Sequence, residues 1–114
     1  MEDCLFCKII NKEIKSDIVF ENDSVLIFKD ISPQAPVHLL AVPKEHIDSI
    51  LEVEKLDSGL LKELIDAVSR IALENELDKD GFRIVINTGI GAGQSVNHLH
   101  FHILGKRKLS WPPG

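Results

Sequence analysis

The order of hydrophobic and polar residues predicts five strands and two helices. Five apolar runs have the length and composition of strands: 18–21, 25–29, 37–42, 82–87 and 97–104. The first two flank Asn22-Asp23-Ser24, which is typical of a tight turn, and therefore predict a β-hairpin. The third follows a loop that Pro33 and Pro36 interrupt, and it predicts a central strand.

Two other segments have helical spacing. Apolar residues recur at that spacing between Cys4 and Asn11, which predicts a helix too short to be stable alone. Asp57 is a suitable N-cap for a longer helix whose apolar stripe consists of Leu60, Leu61, Leu64, Ile65, Val68, Ile71 and Ala72. Because tight turns or one helix join consecutive strands, we expect a mainly antiparallel sheet with the helices on one face. This is an α+β fold, and we expect one domain over 1–114.

Composition and charge narrow the functional classes. The chain has 114 residues, of which 44% are hydrophobic and 27% charged, as in an ordinary globular domain. A formal net charge of −5 gives no broad basic surface for DNA or RNA, although backbone N–H groups and imidazoles can still bind a single nucleotide. No apolar run approaches the roughly 20 residues of a membrane span, and the acidic N-terminus is unlike a secretory signal. We therefore expect a cytoplasmic protein with no membrane partner.

Three histidines in the last predicted strand give the strongest chemical signal. His98, His100 and His102 occupy alternate positions, and alternate side chains of a strand share a face. Three imidazoles are costly to bury unless they bond to one another, to a ligand or to a metal; a tolerated polar face is the alternative. The preceding glycine-rich loop, 88–95, can direct backbone N–H groups and the Ser95 hydroxyl toward an anion. Together these features predict a phosphate pocket with a nucleophilic histidine.

Several motifs occur in a fixed order along the chain: Asp30-Ile31-Ser32-Pro33-Gln34-Ala35-Pro36, Val42-Pro43-Lys44, Gly93-Gln94-Ser95, His98-Leu99-His100-Phe101-His102-Ile103-Leu104 and Trp111-Pro112-Pro113-Gly114. In this order they resemble the Hint branch of the histidine triad nucleotide-binding family, whose signature is His-x-His-x-His followed by two apolar residues. The resemblance implies a five-stranded antiparallel sheet with two helices. It also implies a homodimer, paired through a helix and a strand, in which Trp111 reaches toward the partner's active site.

The resemblance implies a hydrolase or nucleotidyl transferase that acts on purine nucleoside phosphoramidates. His100 is expected to attack the α-phosphorus and form a nucleotidyl-histidine intermediate, which water hydrolyses to release the nucleoside monophosphate. Ser95 is the expected proton donor to the leaving amine, because the scissile bond joins phosphorus to nitrogen. The supporting groups are His38 and His98 in the imidazole network, with His102 and the Gln94-Ser95 segment at the phosphate oxygens.

Recognition of the nucleotide is implied at further matched positions. Asp30 is expected to accept hydrogen bonds from the ribose hydroxyls, and Asn87 and Gly93 are expected near the phosphate. The base slot consists of Phe6, Ile9, Phe28 and Ile31. The plain alternative is that Phe6, Ile9 and Phe28 belong to the core and that Asp30 is a turn residue.

Cys4 and Cys7 form a C-x-x-C pair, which by itself is half of a zinc site or a redox motif. The redox version belongs after a strand, which the first three residues cannot supply. The resemblance implies that His46 and His98 complete a structural zinc site, and two reduced thiols without metal are the alternative. No organic cofactor is expected.

Three other functions fit parts of the pattern. An AMP-binding signalling or scaffold protein with little turnover can use the same pocket, although the intact His100 and Ser95 favour catalysis. A tri-histidine zinc hydrolase requires three ligands on one short strand to converge on a metal, which seldom happens. A dinucleoside polyphosphate hydrolase represents the other main branch of the family, and Ser95 with the terminal Trp-Pro-Pro-Gly favours the Hint branch.

Overall fold

The computed structural model describes residues 3–114, which form a five-stranded antiparallel sheet with two α-helices. The α-helices are α1 (Leu5–Ile10) and α2 (Ser58–Glu74). The strands are β1 (Ile18–Glu21), β2 (Val25–Lys29), β3 (Val37–Pro43), β4 (Phe82–Val85) and β5 (Phe101–Gly105), in the spatial order β1-β2-β3-β5-β4. Two 3₁₀ helices span Ile50–Lys55 and Ile90–Ala92. The α+β fold class and the predicted β1-β2 hairpin are confirmed.

The helices lie on opposite faces of the sheet, so the expectation that they share one face is wrong. α2 packs against alternate residues of three strands: Val25, Ile27, Leu39, Ala41, Phe101 and Ile103. α1 packs against the intervening residues of β2 and β3, which are Leu26, Phe28, Leu40 and Val42. Both strands are buried on both faces, as their continuous apolar runs require, and each face therefore needs its own cover.

The strand expected over 97–104 begins only at Phe101 and ends at Gly105. Its partner β3 ends at Pro43, whose ring nitrogen has no hydrogen to donate, so the pairing does not continue. The N–H of Leu99 donates instead to the carbonyl oxygen of Ile47 at 2.9 Å. The segment 97–100 is therefore irregular and is held by a loop rather than by the sheet.

This change alters the placement of the triad. Only His102 lies in a strand, opposite Leu40, and it therefore shares the face that α1 covers. His98 and His100 belong to the irregular segment, so strand alternation does not fix the directions of their side chains. β4 likewise stops at Val85 instead of Asn87.

α2 begins where the sequence predicts. The carboxylate of Asp57 accepts a hydrogen bond from the N–H of Gly59 at 3.0 Å, which satisfies one of the free donors at the helix N-terminus. Among residues 3–114, each helix is too short or too polar to cross a bilayer.

Candidate active site and metal-donor cluster

His100 has one ring nitrogen fixed and the other free. Its Nδ1 lies 2.7 Å from the carbonyl oxygen of His98, so Nδ1 carries the proton and donates it. The lone pair on Nε2 is then available to attack an electrophile. The residue is 5% exposed, and its ring packs edge-on against Phe6 with 4.9 Å between the ring centroids. The hydrogen bond and the packing together hold one orientation of the imidazole.

His38 and His102 form a hydrogen-bonded pair whose protons follow from the backbone. The N–H of Gln34 donates to Nδ1 of His38 at 3.0 Å, so the His38 proton lies on Nε2. That Nε2 donates to Nδ1 of His102 at 2.9 Å, which leaves the His102 proton on its own Nε2. Burial lowers the pKa of His38, and burial together with the neighbouring His100 and His38 lowers the pKa of His102 to about 4. Both rings are therefore uncharged at neutral pH.

Asp30 lies beside this pair, but the three groups do not suit a metal ion. Oδ2 of Asp30 lies 3.4 Å from Nε2 of His38, and Oδ1 accepts a hydrogen bond from the N–H of Ser32 at 2.8 Å. A metal ion would need the lone pair of Nε2 on His38, yet that nitrogen carries the proton because Nδ1 accepts from Gln34. The arrangement is a hydrogen-bonded chain that runs from Gln34 through His38 to His102.

The side chain of Gln94 shapes the glycine-rich loop. Its amide oxygen accepts from the N–H of Gly89 at 2.9 Å, and its amide nitrogen donates to the carbonyl oxygens of Asp48 at 2.7 Å and Val96 at 3.1 Å. Its backbone N–H donates to the carbonyl oxygen of Gly89 at 3.0 Å. These bonds use all the N–H groups of Gln94. The expected role of the Gln94-Ser95 segment at the phosphate oxygens stays a prediction.

The other predicted contacts of the loop lie at its exposed side. Gly93 has φ of 93°, in the left-handed region that favours glycine, and a Cβ there would lie 3.9 Å from the amide nitrogen of Asn87. Ser95 is exposed and lines a cleft of about 610 Å³ whose other walls include Cys4 and His46. The loop therefore presents Ser95 to solvent close to the C-x-x-C pair.

The residues of the predicted base slot are divided between the core and the surface. Phe6, Ile9 and Phe28 are 4%, 6% and 3% exposed and belong to the apolar core between α1 and the sheet. Ile31 is 94% exposed and Trp111 is 81% exposed. Three of the four base-slot residues thus have a packing role, whereas Ile31 is available at the surface, as is Trp111 on the C-terminal tail.

Four side chains converge beside the triad and form the four-donor cluster: Cys4, Cys7, His46 and His98. Nδ1 of His98 lies 3.4 Å from Sγ of Cys4 and 3.6 Å from Sγ of Cys7, and Nδ1 of His46 lies 3.4 Å from Sγ of Cys7. Zinc bonds of about 2.3 Å to sulfur and about 2.0–2.1 Å to nitrogen place adjacent tetrahedral donors about 3.6 Å apart. The spacing of the cluster fits a tetrahedral ion of that size.

Both histidines of the cluster direct a lone pair toward the thiols. Nε2 of His98 donates to the carbonyl oxygen of Pro43 at 2.8 Å, and Nε2 of His46 donates to Oδ1 of Asp48 at 2.8 Å. Each ring therefore offers an unprotonated Nδ1, with the second nitrogen fixed by an acceptor as is usual for metal-binding histidines. Burial and the neighbouring Cys4 raise the pKa of Cys7 to about 11, and burial lowers the pKa of His98 to about 4.

Sequence reasoning missed the residues that orient these groups. Asp48 has no motif of its own, and its position two residues after His46 is the only sequence signal for a carboxylate partner of that ring. The contact of Gln34 with His38 uses a backbone N–H, which any residue other than proline has, and the clamp that the Gln94 side chain forms on the loop depends on the distant carbonyl of Asp48. Neither has a sequence pattern.

Comparison with known proteins identifies the family. The family model described as "Scavenger mRNA decapping enzyme C-term binding" matches residues 3–111. The chain is similar to an uncharacterized HIT-like protein of Synechococcus elongatus, with 50% identity over 113 residues, 99% of this chain and 98% of the relative. It is 45% identical over 114 residues to a 14 kDa zinc-binding protein of Brassica juncea, covering 98% of this chain and 100% of that one.

This chain is also similar in fold and sequence to a solved structure. The crystal structure of a HIT family hydrolase from Legionella pneumophila has a TM-score of 0.94 and 46% identity, covering 98% of this chain and 100% of that chain. The chain therefore belongs to the histidine triad (HIT) family, and it has the fold of the HIT family hydrolases.

The metal-free protein should lose stability in acid. The pKa values of His98 and His102 are each lowered from 6.5 to about 4. Between these pH values the unfolded chain binds protons that the native protein does not. The contribution of these two histidines to the free energy of unfolding is therefore fully present above pH 6.5 and is lost as the pH falls toward 4. Urea titrations of chelator-treated protein across this window measure the slope. In His102→Gln the free energy of unfolding should change less steeply with pH than in the unaltered chain. An identical slope would contradict the lowered pKa of His102.

Proposed function

We propose that the protein hydrolyses purine nucleoside phosphoramidates through a covalent intermediate on His100. The observation that carries the proposal is the hydrogen bond from Nδ1 of His100 to the carbonyl oxygen of His98, because it places the proton on Nδ1 and leaves Nε2 as the attacking nitrogen. Nε2 bonds to the α-phosphorus while the bond from phosphorus to the amine nitrogen breaks. Water then attacks the phosphorus, which breaks the bond to Nε2 and releases the nucleoside monophosphate.

Two proton donors are proposed to assist these steps. The N–H at Nε2 of His102 donates to a phosphate oxygen as negative charge develops there, since Nδ1 of that ring already accepts from His38. Ser95 protonates the leaving amine from its exposed position at the cleft. Asn87 and the N–H groups around Gly93 are the remaining candidates for phosphate contacts.

The nucleoside is proposed to bind on the α1 side of the sheet. Asp30 lies next to the imidazole pair with a partly exposed carboxylate, so it can accept hydrogen bonds from the ribose hydroxyls. Phe6, Ile9 and Phe28 form an apolar floor, and the exposed Ile31 can cover the base. The matched motif positions and this local chemistry support the proposed intermediate and the proposed P–N specificity.

The test is release of AMP from adenosine 5′-phosphoramidate. His100→Ala should lower kcat by on the order of 10⁴-fold or more, because the attacking lone pair is removed. Intact-protein mass spectrometry during turnover should detect an adenylylated species in the unaltered chain and none in the variant. Binding of AMP by His100→Ala serves as the control that its pocket is still folded.

Other outcomes of this assay separate the alternatives. An unaltered chain that binds AMP but releases none from the phosphoramidate supports a binding or scaffold protein. Turnover of a dinucleoside polyphosphate in preference to the phosphoramidate supports the other branch of the family.

We propose that the four-donor cluster holds a structural zinc ion. Two sulfur donors and two Nδ1 lone pairs lie at tetrahedral spacing, and the second nitrogen of each ring is bonded to a fixed acceptor. A bound ion would cross-link the N-terminal end of α1 to the segments that carry His46 and His98. No chemical step requires it.

Metal titration tests this site. The protein should bind one equivalent of zinc, and cobalt should give the absorption bands of a tetrahedral site with thiolate ligands. Cys7→Ser should weaken binding in a chelator competition, while Ser16→Ala, which removes a hydroxyl outside the cluster, should not. Release of AMP at an unchanged kcat after metal removal is expected, and loss of kcat would contradict a purely structural ion.

We also propose that two copies pair through β4 and α2. β4 is an edge strand whose outer N–H and C=O groups face away from the sheet, and such edges readily add another strand. Phe82 and Ile84 on β4 are 38% and 44% exposed, and Ile65 on α2 is 47% exposed. Trp111, proposed to reach the partner's site, lies on the exposed C-terminal tail.

Light scattering after size exclusion should report a dimer. Ile84→Lys should shift the protein toward the monomer, because it places a charge in the apolar patch. Leu51→Lys changes an apolar residue that is 79% exposed on a different element and should remain dimeric. A monomer in the unaltered chain at micromolar concentration would contradict the proposal.

A further inference from the structure

Asp48 is bonded at once to the four-donor cluster and to the glycine-rich loop. Its carboxylate Oδ1 accepts from Nε2 of His46 at 2.8 Å, which fixes that ring with Nδ1 toward the thiols. Its main-chain carbonyl accepts from Nε2 of Gln94 at 2.7 Å. One residue therefore fixes the orientation of a metal-donor ring and the position of the Gln94 side chain, which is the clamp on the glycine-rich loop.

The side chain of Gln94 is hydrogen-bonded to both ends of the loop. The side chain is 8% exposed, accepts from the N–H of Gly89 at 2.9 Å and donates to the carbonyl oxygen of Val96 at 3.1 Å. Ser95 lies between the clamped residues. The carbonyl of Val96 also accepts from the N–H of His98 at 2.9 Å, so the clamp continues into the segment that carries the triad.

The hydrogen bonds of Asp48 allow a restriction of the His46 ring to restrict the Gln94 side chain as well. The carbonyl of Asp48 and the amide of Gln94 are fixed by partly buried contacts, whereas the Asp48 carboxylate is 63% exposed and has few restraints apart from His46. An ion that binds Nδ1 of His46 restricts the ring, and the ring restricts Asp48 through Nε2. In the proposed function a phosphate group binds at this loop and restricts the same clamp from the other side.

We propose that Asp48 is a positioning residue that couples metal binding at the cluster to nucleotide binding at the loop, through its paired contacts with His46 and Gln94. The inference rests on the proposed function in taking a purine mononucleotide as the ligand of this loop. Coupling between two binding equilibria is reciprocal, so zinc must raise the affinity for AMP by the same factor by which AMP raises the affinity for zinc. Coupling of this kind commonly amounts to about 5- to 150-fold.

A second route from the cluster to the pocket passes through α1. The thiols of Cys4 and Cys7 flank Phe6, whose ring packs against His100. An ion at the cluster can thus order the pocket without Asp48. The two routes make different predictions, because only the first requires the amide of Gln94.

Calorimetric titration of AMP into zinc-loaded and chelator-treated protein measures one arm of the coupling. A chelator competition for zinc with and without AMP measures the other. Equal factors well above one are expected in the unaltered chain. Gln94→Leu should keep the zinc affinity within a few-fold and lose the coupling, because it removes the N–H donors and keeps the four metal donors.

Asp48→Asn separates the two contacts of Asp48. It retains the main-chain carbonyl and a weaker acceptor for His46, so it should lower zinc affinity by about 10- to 100-fold and reduce the coupling factor without abolishing it. Asp17→Asn is the matched control, because Asp17 pairs only with the exposed Lys29 among the ion pairs of residues 3–114. It should change neither affinity. Gln94→Glu, which also lacks the amide donors, replaces Gln94→Leu if the latter does not fold.

Two results would overturn the inference. One is the same AMP affinity in the zinc-loaded and chelator-treated unaltered chain. The other is full coupling in Gln94→Leu or Gln94→Glu, which assigns the effect to α1. A protein that binds AMP in neither form contradicts the proposed function itself, so failure at that level is distinguished from failure of the coupling.

Discussion

The position of His98 constrains both halves of the site. Its side chain is 0% exposed, and its ring is held between the carbonyl oxygen of Pro43 and the two thiols. Its own carbonyl oxygen accepts from Nδ1 of His100. Because ring and carbonyl belong to one residue in a short irregular segment, a shift of the metal-donor ring also displaces the acceptor that orients His100. The two groups cannot be arranged independently.

β3 provides the frame to which these groups are attached. It lies at the centre of the sheet between β2 and β5 and is buried on both faces, so its register cannot slip without exposing apolar residues. His38 lies near one end of the strand and Pro43 at the other. Five residues of extended chain span roughly 17 Å. This length separates the imidazole pair from the carbonyl that fixes His98.

The sequence predicts the locally determined parts of this structure well. The β1-β2 hairpin and the Asp57 cap depend on neighbours in sequence, and both are observed as expected. The placement of α1 is not local, because it depends on which sheet face α2 leaves uncovered. The irregular course of 97–100 results from a proline on a different strand.

In the candidate site, too, some features can be predicted from the sequence and others depend on the folded structure. The residue types and spacing of the histidines and cysteines indicate their chemistry, and the structure brings them together. The hydrogen bonds that orient them come from a backbone N–H at Gln34, a carbonyl at Pro43 and a carboxylate at Asp48. The two main-chain contacts leave no sequence signal, since nearly any residue can supply a main-chain donor or acceptor, and the carboxylate is marked only by its position two residues after His46.

The hydrogen-bonded chain from Gln34 through His38 to His102 has a fixed direction. A backbone amide does not release its proton, so the Gln34 end of the chain can neither take up nor discharge one. A proton that leaves the His102 ring during a reaction must therefore return from the substrate, from water, or through His38 from Asp30, whose Oδ2 lies 3.4 Å from Nε2 of His38. The Gln34 amide polarises this chain but exchanges no protons with it.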